Sequence, residues 1–146
     1  MADKEQSYAN HGRIVPMYHY VTLGILQVTL IGACVNLYQS WGNHQRLYSA
    51  SLLVTLTFAT MLAALYARSF ALRAQDRAIR AEEQLRHYVM TGKLLDSRLT
   101  VKQIVGLRFA SNEEFVALAQ RAADQSLSPK DIKQAVKSWR ADLYRV

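Results

Sequence analysis

The stretch "ALYARSFALRAQDRAIRAEEQLR", residues 64–86, starts as the tail of an apolar run and ends among charged residues. No Gly, Pro or turn cluster divides it. Ala, Leu, Arg, Gln and Glu are strong helix formers, so the helical pattern persists while the favoured surroundings change from hydrocarbon to water. Acid-first pairs four apart, Asp76/Arg80 and Glu82/Arg86, support it further. The first breaker is Gly92. One helix of about forty residues, about 60 Å long at 1.5 Å per residue, is expected, half in lipid and half in the cytoplasm.

Upstream, no Asp, Glu, Lys or Arg occurs between Arg13 and Arg46, nor between Arg46 and Arg68. Each gap holds the roughly 20 apolar residues needed to cross a hydrocarbon core of about 30 Å. The expected spans are 18–38 and 47–66, joined by a short external loop over 39–46. Tyr18, Tyr20, Tyr38, Trp41, Tyr48 and Tyr66 fall at their ends, where amphipathic rings are most comfortable. A cleaved signal peptide fits the first span poorly: residues 1–16 carry both charge signs, the apolar run is too long, and no small-x-small site follows it. The lone Cys34 lies inside that span and reads as a small packing residue.

Charge sets the expected orientation. From residue 67 to 146 there are 15 Lys/Arg against 9 Asp/Glu, a net of +6 (15 − 9), whereas the connecting loop holds only Arg46. Positive flanks stay in the cytoplasm. Both termini are therefore expected there, with residues 1–16 as an N-terminal segment and 67–91 as the extension of the second helix.

Residues 92–146 read as a small basic module of three helices. Thr100 with Gln103 opens one over 101–109, and Ser111 with Glu114 opens another over 112–124. Ser128, followed by Pro129 and Asp131, opens a third running to 144. The apolar faces would be Ile104/Val105, then Phe115/Leu118/Ala122, then Ile132/Val136/Trp139/Leu143. The expected fold class is all-α: a transmembrane hairpin, a long second helix, and a three-helix cytoplasmic module.

Along that second helix Ala50, Leu53, Thr57, Thr60, Ala64, Ala67, Ala71, Ala74, Ala78, Ala81, Leu85 and Tyr88 advance by threes and fours. This is a heptad seam of mostly small residues, which lets backbones approach closely. Thr22, Thr29, Gly32 and Asn36 share a face of the first helix, and Thr57 and Thr60 are their expected hydrogen-bonding partners. Whether the seam forms within one chain or between copies stays open, as does chance spacing in an Ala-rich helix. Arg68, Arg73, Arg77 and Arg80 form a collar suited to an anionic surface. Lys133, Lys137 and Arg140, beside Trp139, form a basic face on the last helix that suits anionic lipid or an acidic partner.

Candidate chemistry is sparse. His11, His19, His44 and His87 have no metal-ligand spacing, although a pair could meet across helices as haem ligands. No P-loop, no G-x-G-x-x-G and no acid within either span is present, which weighs against nucleotide chemistry and proton-coupled transport. No cofactor, metal or catalytic residue is assigned.

The stretches "QSYANHGRIVPMYHYV", "NHQRLYSASL", "YARSFALRAQDRAIRAEEQLRHYVMTGKLLDSRLT", "LRFASNEEFVALAQRA" and "SPKDIKQAVKSWRADLYRV" resemble a family of small bacterial membrane proteins of unknown function, over nearly the whole length. The resemblance implies a bacterial inner-membrane protein with two spans and a cytoplasmic tail, and carries over no active-site residue. The expected role is non-enzymatic: a self-associating scaffold or an accessory subunit of a larger membrane complex, with membrane lipids as partners. An oligomeric channel and a membrane-tethered nucleic-acid binder are the alternatives.

Overall fold

The computed structural model describes residues 6–142. A π-helical turn, Met17–Thr22, runs into α1, Leu23–Gln39; α2 is His44–Thr91, followed by α3 (Val101–Leu107), α4 (Asn112–Asp124) and α5 (Pro129–Ala135). The chain is all-helical, as its periodicity implied. Two helical stretches, Met17–Gln39 and His44–Thr91, are long and apolar enough to cross a membrane.

The central expectation holds. α2 is a single helix of 48 residues, about 72 Å at 1.5 Å per residue. It passes from apolar to charged composition without a break. Gly92 ends it with φ +71°, its amide donating to the Tyr88 carbonyl at 2.7 Å.

By its contacts the chain divides into two compact units, residues 13–71 and residues 1–12 with 72–146. In the first, α1 and the apolar half of α2 form a helical hairpin. Its packing differs from the expected seam. From the π-helical turn through α1 to its C-cap the covered positions include His19, Leu23, Leu26, Leu30, Ala33, Leu37 and Ser40, while Thr22, Thr29, Gly32 and Asn36 are exposed. On α2 they are Ala50, Val54, Thr57, Met61, Ala64, Arg68 and Ala71; Leu53, Thr60 and Ala67 face outward. The heptad is real, but one of its two rows lies a residue further on. The Thr hydroxyls explain the difference. Thr57 and Thr60 donate to the Leu53 and Leu56 carbonyls of their own helix at 2.8 Å, and Thr22 donates to the Met17 carbonyl at 2.9 Å. With the hydroxyls satisfied locally, leucines fill the contact instead. Tyr18 fastens the hairpin at its open end, its hydroxyl donating to the Ala64 carbonyl at 2.8 Å.

In the second unit α3, α4 and α5 close around Ile104, Leu107, Phe109, Phe115, Ala122 and Ile132. α3 begins with the expected capping box: Thr100 accepts from the Gln103 amide, and Gln103 reaches back to the Thr100 amide. Ser128 caps α5 by accepting from the Asp131 amide at 3.1 Å. Gly106 lets α3 and α5 meet, since a Cβ there would lie 3.3 Å from the Pro129 carbonyl oxygen.

Three local expectations are corrected. The Ser111–Glu114 box does not form: Ser111 makes no side-chain cap, and the Glu114 carboxylate accepts instead from the amides of Lys137 and Ser138, at 3.1 Å each. α3 stops at Leu107 rather than 109. α5 stops at Ala135, and Val136 is extended with ψ 121°. The chain then runs back beside residues 109–111, the Ser111 amide donating to Ser138 at 3.1 Å and the Arg140 amide to Phe109 at 2.8 Å. Ala110 and Trp139 form an isolated antiparallel bridge. Leu143 and the expected helix end at 144 lie outside the described residues.

Replacing Gly92 by Ala tests the stop of α2. No atom lies within 4 Å of the added Cβ, so the cost is conformational alone, about 1 kcal/mol. Hydrogen exchange should speed up in residues 86–95 while leaving α1 untouched.

Candidate functional site

What is most tightly built in the second unit is the joint between the charged half of α2 and the small helical module. Ile79, Glu83, Arg86 and His87 lie on one face of α2 and are buried or half-buried. Glu83 is only 4% exposed, and its carboxylate accepts from Arg86 Nη1 at 2.9 Å with Arg140 Nη1 at 3.5 Å. Arg86 Nη2 donates to the Ala110 carbonyl at 2.8 Å and to Asn112 Oδ1 at 2.7 Å, and Nε donates to the same Oδ1 at 3.0 Å. Its guanidinium carbon lies 4.2 Å from the Phe115 ring centroid. A planar guanidinium spends its fork of donors here on a carboxylate, an amide oxygen and a backbone carbonyl, while stacking on an aromatic face. Gln84 accepts from the Leu95 amide at 3.0 Å, and His87 Nδ1 meets the Lys93 carbonyl at 2.7 Å. An open cleft of about 580 Å³ runs along the joint, lined by Glu82, Glu83, Arg86, Ser111, Asn112 and Arg140. Two acids balance two bases in it. Its chemistry is that of a clamp.

The N-terminal segment joins the same unit. Gln6 Oε1 accepts from the Asp142 amide at 2.8 Å. His11 stacks on Tyr8 at 5.7 Å and lies 5.8 and 6.0 Å from the Phe109 and Trp139 rings. Its Nδ1 meets the Tyr8 carbonyl at 2.6 Å and its Nε2 lies 3.1 Å from Lys133 Nζ. One tautomer, protonated on Nδ1, fits both contacts.

These contacts rearrange the basic surface expected from the sequence. Lys133 is half-buried beside His11, with its ammonium 5.8 Å from the Phe109 ring. Trp139 packs on Phe109 at 4.8 Å, and Arg140 leans on Glu83. With α5 ending at Ala135, Lys133, Lys137 and Arg140 do not share one helix face, so the basic tail face is corrected; Lys137 remains exposed. The collar divides. Arg68 lies 5.9 Å from the Tyr18 ring, whereas Arg73, Arg77 and Arg80 are exposed. In the charged half of α2, Ala74, Ala78 and Ala81 are exposed. Among the described residues no three His, Cys, Asp or Glu side chains gather as a metal site.

The clamp was not anticipated. Residue spacing marked Glu82/Arg86 as the pair, but Arg86 turns to Glu83, three residues back, which is buried in the joint while Glu82 stays exposed at its edge. The usable signal was the charged Glu83–Arg86 pair on the same face as Ile79.

A second ionic cluster sits at the other edge of the module. Arg98 Nη2 reaches Asp96 at 2.7 Å and Asp124 at 2.8 Å. Side-chain and backbone hydrogen bonds from Arg98 hold Asp96 down at about 2, from an ordinary 3.8. Hydrogen bonds from Gln120 and then Arg98 lower Asp124 as well, and Arg98 is raised by Asp96 and Asp124.

Two outcomes are expected. Arg86→Ala leaves Glu83 buried without its main partner and should destabilise the module by about 3 kcal/mol, read by hydrogen exchange in α3 to α5; Arg121→Ala, on the exposed side of α4, should change little. Asp96 is more acidic folded than unfolded, so its stabilisation is complete above about 3.8 and is lost as pH falls toward about 2. Thermal unfolding of the module should be flat from neutral pH to about 4 and then fall, and Asp96→Asn should flatten that fall.

The model of a family of unknown function (DUF6526) matches residues 1–146. No curated protein and no solved structure matches the chain. A match over the full length places the chain in the DUF6526 family.

Proposed function

We propose that this chain is a non-enzymatic membrane anchor that holds a helical module at the cytoplasmic face of a bacterial inner membrane, as a self-associating scaffold or an accessory subunit of a larger membrane complex. One observation carries the reading. Residues 6–11 pack on the module through Gln6 and His11, although two apolar helical stretches separate them in sequence. Segments that bind each other must lie on the same side, and two crossings return the chain to the side from which it started. The positive-inside rule assigns that side to the cytoplasm.

The clamp supports the structural role. A module tied to its helix by the hydrogen bonds of Arg86, Gln84 and His87 and by the Arg140–Glu83 ion pair is suited to being held at a fixed place rather than to swinging on a tether. The exposed Arg73, Arg77 and Arg80 are the residues that would meet anionic headgroups or an acidic partner. A nucleic-acid role is disfavoured because Lys133 and Arg140 are occupied within the module. The exposed Thr22, Thr29 and Asn36 face of α1 supports a channel as the second reading, if copies turn that face toward a common water-filled axis.

Cysteine accessibility tests the topology. In a Cys34→Ser background, an impermeant maleimide applied to spheroplasts should label Asn43→Cys, and should label Ser97→Cys only after lysis. Labelling of both positions in intact spheroplasts would contradict the reading. Gently extracted protein should have a particle mass well above the 16.6 kDa of one chain. Ion conductance by the reconstituted protein would favour the channel.

A further inference from the structure

The charged half of α2 carries a large apolar face that the described chain leaves open. Leu85, Tyr88 and Val89 are 63%, 53% and 76% exposed, and Ala74, Ala78 and Ala81 continue the same face toward the apolar half. Written as heptads, Ala74, Ala81 and Tyr88 are d positions and Ala78 and Leu85 are a positions. The clamp residues Ile79, Glu83, Arg86 and His87 then fall at b, c and f. At 3.6 residues per turn the two faces lie roughly 160° apart. The module therefore occupies the outer side of a potential coil and leaves its seam clear.

Resting on the scaffold reading above, we infer that this face is the contact between two copies of the chain, with their α2 helices side by side in a parallel two-stranded coil over residues 74–89. Charge selects the arrangement. In a parallel coil a g residue lies beside the e residue five positions on in its partner. Arg77 is at g and Glu82 at e, both exposed. Arg77 of each copy thus meets the partner's Glu82, and two-fold symmetry makes the contact twice. An antiparallel pair sets g against g and e against e, which joins none of Arg77, Gln84, Gln75 and Glu82 as opposite charges. Copies anchored in one membrane with the same orientation also have parallel α2 helices.

The alanines and the large residues play different parts. Ala74, Ala78 and Ala81 set a close backbone approach, and Leu85 with Tyr88 supplies the apolar area at the far end. Val89, at e, extends that area along the rim.

The test uses the full chain with Cys34→Ser, reconstituted into lipid at two copies or more per particle. On mild oxidation Ala81→Cys, at a d position, should cross-link to dimer at least about tenfold faster than Arg80→Cys, on the outer side. Arg77→Glu or Glu82→Arg alone places like charges together and should weaken dimerisation about fivefold; the two combined should restore it. Equal cross-linking at residues 80 and 81, with no effect of charge reversal in a chain that still self-associates, overturns this interface and leaves the scaffold reading standing. A chain that is a single copy by mass in lipid overturns the interface and self-association together.

Discussion

Each amide inside a helix must find a carbonyl four residues back, and this requirement does not lapse where the side chains cease to be apolar. In hydrocarbon an unpaired backbone group costs several kcal/mol, so in the membrane reading proposed above the apolar half of α2 has no acceptable alternative to helix. Once that half is formed, nucleation has already been met, and each further residue adds a hydrogen bond for one fixed backbone conformation. Strong helix formers then carry the rod on until Gly92. Within its own unit, α1 lies along the apolar half of this helix; within the other, the module grips the charged half.

The two halves are held by different forces. Half-buried leucines of α1 and the covered Ala50, Thr57 and Ala64 of α2 line the hairpin; in the membrane reading proposed above theirs is a contact of shape, since lipid offers no hydrophobic drive between helices. Around Glu83 and Arg86 the contact is electrostatic, made strong by burial and by the near-complete use of the guanidinium donors. Burying such ions is costly unless every partner is present. The return of the chain from Val136 to Arg140 is what completes the set, because it brings Arg140 to Glu83 and aligns residues 109–111 for Arg86.

Much of this was legible in the residues. Helix continuity through residues 64–86 followed from propensity and the absence of a breaker, and the caps at Thr100 and Ser128 followed from local hydrogen-bond chemistry. What failed was information about partners across space. Thr57 and Thr60 looked like interhelical donors, but a carbonyl of their own helix was nearer. Glu114 looked like half of a capping box, but two amides from a distant segment claimed it. The heptad rows were visible, yet which row turned inward was not, because the Thr hydroxyls found acceptors within their own helix. Lys133, Trp139 and Arg140 read as a basic helical face only as long as α5 was assumed to continue.

The account rests most heavily on α2 being one helix that changes solvent partway. A spin-label scan placing one label at a time from Leu62 to Tyr88, in the full chain in lipid nanodiscs, measures this directly. The account predicts that oxygen accessibility gives way to accessibility toward a water-soluble nickel reagent around Ala67 to Phe70, while the 3.6-residue period runs through that region without a shift of phase. A loss of period there, or a nickel signal already high at Leu62 to Leu65, would contradict it.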